Sequence, residues 1–273
     1  MLTSKTYVVT WDEMLYNGID VDKQLSAAGL DYLVYDVSSN PEPRPNWIAA
    51  EKVRYYGHFY NALSDFATTE HDIFIFNAGD AFSDNHPEFV YRVQNMMEKD
   101  ENVWLMAPRM THDGGDGMAT LVQMSKKHEN IGLISHINGI YVAMTRELAL
   151  VVLDYYAWLL RHGHMNFTTM ITGHCLDTVY AAWAIFKNKK IYRDWVFTME
   201  TNKVTSYNTG GAYRDCNNIK TKFLEYCKQI GGDETRVRAI FDAIQRNDTT
   251  YARQTSSILE LYPNLKSEEE LDY

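Results

Sequence analysis

The chain has 273 residues, 45% of them hydrophobic, and a net charge of −10. That length and apolar content suit one large α/β domain with a buried core and exclude a disordered chain, while the acidic balance argues against general binding to nucleic acid. The three cysteines, Cys175, Cys216 and Cys227, form no pair at metal spacing, and neither a leader peptide nor a run near ~20 apolar residues is present, so the expectation is a cytoplasmic protein without a membrane segment.

The predicted elements alternate. Thr6–Thr10 (TYVVT) reads as a buried strand, residues 20–28 as a helix stopped by Gly29, and residues 31–35 (DYLVY) as a second strand. The segment SSNPEPRPNW holds three of the six prolines and reads as a loop. In residues 54–66, Tyr55, Phe59, Ala62, Leu63 and Phe66 recur at helical spacing, and DIFIF (72–76) is a third strand ending in the polar turn NAGDAFSDNHP. A helix over 87–99 and a strand over 103–107 follow, and then HDGGDG (112–117), a glycine turn without dinucleotide spacing. Residues 139–144 read as a strand, 177–187 as an amphipathic helix and 191–198 as a late strand. From about residue 216 the pattern is helical up to the acidic tail, which divides the chain into a core over 1–215 and a helical appendage over 216–273.

Alternating strands and helices predict a mostly parallel sheet, with ligands at the carboxyl ends of its strands. Three strand ends deliver Thr10, Trp11, Asp12 and Glu13; Asp36 and Ser38; and Asn77, Asp80 and Asp84. Carboxylates converging on one edge can hold a divalent cation, and that cation can neutralise a diphosphate. Turns are rich in these residue types for purely structural reasons too, so each turn alone says little. A content of 13% aromatic residues fills a core and also suits a cleft that stacks on sugars and bases.

The order of these turns resembles the GT-A nucleotide-sugar glycosyltransferases. Asp36-Val-Ser-Ser-Asn-Pro is similar to their V-D-D-G-S-T-D turn, whose acid contacts the nucleobase, and Arg54 through Asn61 is similar to the helix carrying their a-R-N-x-G element. DIFIFNAGDAF resembles f-L-D-x-D-d, Asn138-Gly139-Ile140-Tyr141 the acceptor-side glycine loop, and Gly173-His174-Cys175-Leu176-Asp177 the x-E-D element. The resemblance covers about residues 5–210 and implies a Rossmann-like sheet flanked by helices. It also implies a UDP-sugar donor near Thr10, Trp11, Asp36, Arg54, Asn61, Asn77, Asp80 and Lys203. Mn²⁺ or Mg²⁺ would be held by Asp80 with Asn77 or Asp84, and Asp177 would be the base at the acceptor hydroxyl if the reaction inverts. The chain departs from the pattern in three places. The first aspartate of D-x-D falls on Ala78, the glutamate of x-E-D on Leu176, and no histidine follows His174, so Asn202, Lys203 or Asn208 would stand in.

The run from NPEPRPNW to NAGDAFSD looks most like the tailed-phage transferases that put glucose or arabinose on hydroxymethylcytosine in DNA. That acceptor needs cations against phosphate, and Lys187, Lys189, Lys190, Arg193, Lys203 and Arg214 are the candidates. Two alternatives stay open, a glycan- or lipid-directed transferase of the same fold and a carbohydrate-binding protein without catalysis. His162 and His164 with His174 and Cys175 also form a possible zinc set, although no second ligand pair of matching spacing is present.

Overall fold

The computed structural model describes residues 1–37, 44–50, 55–111, 121–135, 137, 139–165, 176–201, 209–248, 257–263 and 265–267. Its elements are β1 (Ser4–Trp11), α1 (Leu15–Ala27), β2 (Asp31–Val37), β3 (Trp47–Ala49), α2 (Tyr55–Ala67), β4 (Ile73–Asn77), β5 (Ala81–Phe82), α3 (His86–Lys99) and β6 (Val103–Thr111), followed by β7 (Leu121–Met124), β8 (Ile131–Ile134), β9 (Tyr141–Thr145), α4 (Arg146–Arg161), α5 (Leu176–Phe186), β10 (Lys190–Thr201), α6 (Thr209–Gln229), α7 (Glu234–Asp248) and α8 (Ile258–Leu261). A 3₁₀ turn, Asp12–Met14, joins β1 to α1.

The strands form one ten-stranded sheet in the order β3-β2-β1-β4-β9-β6-β10-β8-β7, with β5 pairing β10 beside this path. The run β3-β2-β1-β4 is parallel throughout, and β6 is parallel to β10. Antiparallel β9 joins these two parallel groups, and the hairpin β7–β8 extends β10 on its far side. Both faces are covered, which is why the central strands are continuously apolar. All five residues of β4 are buried. Phe74 and Phe76 meet Phe59 of α2 edge-on, while Tyr141 packs on Phe89 of α3.

Two departures from the sequence expectation have local causes. Helix α1 starts at Leu15, five residues before the expected position, because Gly18 is not a breaker here. A Cβ at Gly18 would stand 2.7 Å from the Thr10 hydroxyl, so glycine lets the helix lie against the end of β1. Residue 216 falls inside α6, and the C-terminal helices share the core, with Phe223, Tyr226, Cys227, Ile240 and Phe241 buried. The Tyr155 hydroxyl donates to the Ile219 carbonyl at 2.6 Å and the Tyr262 hydroxyl to the Lys189 carbonyl at 3.1 Å, joining α4 to α6 and the chain after α8 to the start of β10.

Candidate functional site

The parallel strands β1, β2 and β4 end together. Thr10 stands beside Asp36, and Val8 beside Asn77, so Thr10, Asp36 and Asn77 project from one sheet face. Thr10 is fully buried, and its hydroxyl donates to the Met14 carbonyl at 2.9 Å, which fixes the 3₁₀ turn after β1. Thr10 thus has a structural task at this strand end. Asp36 is 5% exposed, and its buried Oδ1 accepts no hydrogen bond.

The turn after β4 is built on that edge. Asn77 is fully buried, and its Oδ1 accepts from the Gly79 N–H at 2.8 Å while its Nδ2 has no acceptor. The Asn77 side chain thus holds the turn with one lone pair of its oxygen. Gly79 has φ +96°, and a Cβ there would collide with the Val9 carbonyl and crowd the Trp11 ring, so only glycine lets the turn lie on the end of β1. Trp11, half-buried, is the wall of this turn. Asn17 of α1 holds it from the other side, donating to the Gly79 carbonyl at 2.7 Å and the Ala81 carbonyl at 3.1 Å. Between those two carbonyls sits Asp80, half-buried with one carboxylate oxygen fully covered. Beyond it β5 pairs with the end of β10, Ala81 opposite Thr201 and Phe82 opposite Glu200.

Other expected site residues fall elsewhere. Asn61 is exposed on α2, whose core-facing residues are Phe59, Ala62, Leu63 and Phe66, so it is not brought to the strand ends. Asp84 is exposed four positions beyond Asp80, just before Asn85 caps α3. Arg54 and Lys203 lie outside the described residues, as do Asn138, Gly173, His174, Cys175, Asn202 and Asn208. Asp177 stands in the first turn of α5, half-buried, and accepts from the Thr178 N–H at 2.7 Å. Because α5 packs on β10 and leads directly into it, it runs antiparallel to that strand and points Asp177 toward the Thr201 end.

Four of the cations expected to meet DNA, Lys187, Lys189, Lys190 and Arg193, are not at this edge, and Lys203 and the Arg214 side chain lie outside the described residues. Lys190 is 1% exposed and bound to Asp100 at 2.8 Å, and Arg193 is 1% exposed. Lys189 donates to Glu101 and Asn102, and Lys187 lies over Trp183. Lys190 opens β10 and Thr201 closes it, so the two stand at opposite ends of the strand. His162 and His164 stack on Trp158, and among the described residues no group of three His, Cys, Asp or Glu side chains is placed to hold a metal.

His86 opens α3 beneath the same edge. It is fully buried against Tyr141, neither ring nitrogen has a hydrogen-bond partner, and the Tyr141 hydroxyl has none either. Burial holds the imidazole pKa down at about 4 against a small opposing effect of Asp20, so His86 is neutral near pH 7. Sequence reasoning missed Asn17, which lies in a helix, and His86, which lies near the end of the NAGDAFSDNHP turn but is buried by Tyr141, remote in the chain.

No family model and no curated protein matches the chain. Among solved structures it is similar to GalNAc-T7 with UDP, GalNAc and Mn²⁺ (TM-score 0.56, 11% identity, 100% of this chain and 55% of that one). It is also similar to the mannosyltransferase PcManGT from Pyrobaculum calidifontis in complex with GDP-Man and Mn²⁺ (0.46, 12%, 83% and 63%), and to UDP-glucose pyrophosphorylase complexed with UDP-glucose (0.41, 9%, 84% and 100%). The chain therefore spans less than two thirds of the length of either transferase. The likeness to GalNAc-T7 is one of fold, a GT-A-like α/β sheet flanked by helices, as the resemblance implies. Among the described residues no helix is long and apolar enough to cross a membrane.

Proposed function

We propose that the chain is a glycosyltransferase that binds a UDP-sugar at the carboxyl ends of β1, β2 and β4 and passes the sugar to a hydroxyl. The observation that carries this reading is the Asp36 carboxylate, buried at a strand end with an Oδ1 that none of the described residues satisfies. An unmet buried acceptor costs about 1–3 kcal/mol, and a ligand that brings a donor, such as the N3–H of uracil, removes the cost.

Charge fixes the other half of the donor site. Residues 9–20, 79–84 and 196–201 carry Asp12, Glu13, Asp20, Asp80, Asp84 and Glu200 and no lysine or arginine. A divalent cation between these carboxylates and a diphosphate offsets their repulsion, and exposed Arg109 of β6, beside Thr198 of β10, is a described cation next to them. Asp80 is the carboxylate that the Asn77–Gly79 turn presents there, and Asp84 follows on the exposed side. Bound Mn²⁺ or Mg²⁺ supplies neutralisation of the leaving diphosphate. Asp177 takes the acceptor proton if the reaction inverts, its Oδ1 being oriented by the Thr178 N–H. An acceptor in hydroxymethylcytosine DNA fits this surface poorly, because Lys190 and Arg193 are buried at the other end of β10.

Calorimetry of UDP binding with Mn²⁺ and in EDTA, on the wild type and Asp80→Ala, tests the reading. Cation-dependent binding that Asp80→Ala loses with an unchanged circular dichroism spectrum is expected. Equal binding in EDTA shows that no metal bridges the diphosphate, and absence of UDP binding in both conditions removes the donor site.

A further inference from the structure

Tyr16 is a large aromatic residue left 62% exposed on the first turn of α1. Isolated exposed rings are ordinary and call for no explanation. Tyr16 differs from them in its mounting. Its ring lies against that of Phe82, with centroids 5.7 Å apart and planes within 17°. Phe82 belongs to β5, two residues beyond Asp80, and β5 is held to β10. The neighbour of Tyr16, Asn17, ties α1 to the Gly79 and Ala81 carbonyls on either side of Asp80. The exposed ring is thus fixed to the same turn that carries the proposed diphosphate ligand.

We propose that Tyr16, backed by Phe82, is a stacking platform for an uncharged saccharide acceptor. The proposal rests on the donor-site reading above, since the acceptor hydroxyl must reach the sugar carried by the diphosphate at Asp80. An aromatic face accepts the C–H face of a sugar ring, and a few carboxylates around it accept its hydroxyls. Asp12, Glu13 and Glu200 are exposed around the platform, and Asp20 lies one turn along the same face of α1. The same carboxylates repel a phosphate backbone, so the platform is unsuited to stacking a nucleic-acid base. One ring backed by another also falls far short of the roughly 800 Å² per partner of a protein interface.

Saturation-transfer NMR with the methyl glycosides of glucose, galactose and mannose, on the UDP-saturated protein, tests the proposal. Transfer to the ring protons of at least one glycoside is expected, with Tyr16→Ala weakening its apparent affinity about tenfold and Tyr16→Phe restoring it. UDP affinity in Tyr16→Ala should stay within about twofold of wild type, which shows a folded donor site. A UDP-binding wild type that saturates none of the three glycosides, or a Tyr16→Ala variant that binds them as well as wild type does, overturns the platform and leaves the donor reading standing. Displacement of the glycoside by UDP-glucose but not by UDP assigns the ring to the donor sugar and overturns the acceptor assignment. Binding of a single-stranded oligonucleotide that Tyr16→Ala abolishes overturns it in favour of a base. Failure of UDP to bind refutes the donor reading, and the platform with it.

Discussion

The start of β10 and the edge where β1, β2 and β4 end treat buried carboxylates in opposite ways. Near the start of β10, charges that leave water are paired. Lys190 meets Asp100, and Asp194, fully buried, takes two hydrogen bonds from Arg92 and two more from the Val196 and Phe197 N–H groups. On the edge shared by β1, β2 and β4, Asp36 Oδ1 is buried without a partner among the described residues. Of the buried carboxylates described, Asp100 and Asp194 are paired, and Asp36 keeps an oxygen without a partner among the described residues. On the donor-site reading proposed above, the difference separates carboxylates that hold the sheet from one that a ligand would satisfy.

Three perturbations break or sharpen that contrast. The largest effect belongs to the paired region. Lys190→Ala strands the Asp100 carboxylate, whose pKa is held below the usual carboxylate value against its burial by Lys190, and should destabilise the protein by about 3–5 kcal/mol in urea unfolding while leaving UDP affinity alone. A loss of UDP affinity in the folded variant would erase the division between the two regions. His86 comes next. Its folded pKa of about 4 lies below the unfolded value of 6.5, so the unfolded chain binds the extra proton between them. Stability should therefore fall as pH drops below ~6.5, by about 3 kcal/mol at pH 4, and His86→Phe should flatten that part of the profile. An unchanged slope in His86→Phe would place the acid sensitivity elsewhere. The smallest stability effect is at Gly79, where alanine at φ +96° should cost about 2 kcal/mol and also abolish UDP binding, because the Asp80 turn could no longer lie on β1. Full UDP affinity in Gly79→Ala would detach the turn from the donor site.

Much of this was legible in the chain because it is local. TYVVT, DYLVY and DIFIF are apolar runs with polar ends, and they became β1, β2 and β4 with Asp36 and Asp80 at or just beyond their termini. What escaped is non-local. Asn17 reaches partners 62 and 64 positions away, and Tyr16 meets Phe82 through the same approach, so neither stands out in sequence. The close approach of Gly18 to the Thr10 hydroxyl, which sets the start of α1, is not visible in sequence either. The hairpin β7–β8 has strands of four residues each, too short for a period to show, and β9 enters antiparallel where alternation suggests a parallel strand. The run KNKKIYR reads as a solvated basic patch, yet Asp100, ninety positions before Lys190, draws that lysine inside.

The central claim is that the unsatisfied edge is a donor site, and Asp36 tests it most directly. Titration of UDP into wild type and Asp36→Ala by calorimetry, with Mg²⁺ present, should show binding weakened by about 1–3 kcal/mol in the variant. Urea unfolding without ligand should show the variant no less stable, because the carboxylate it loses has a buried oxygen that no donor among the described residues reaches. UDP affinity unchanged in a folded Asp36→Ala protein would contradict the account.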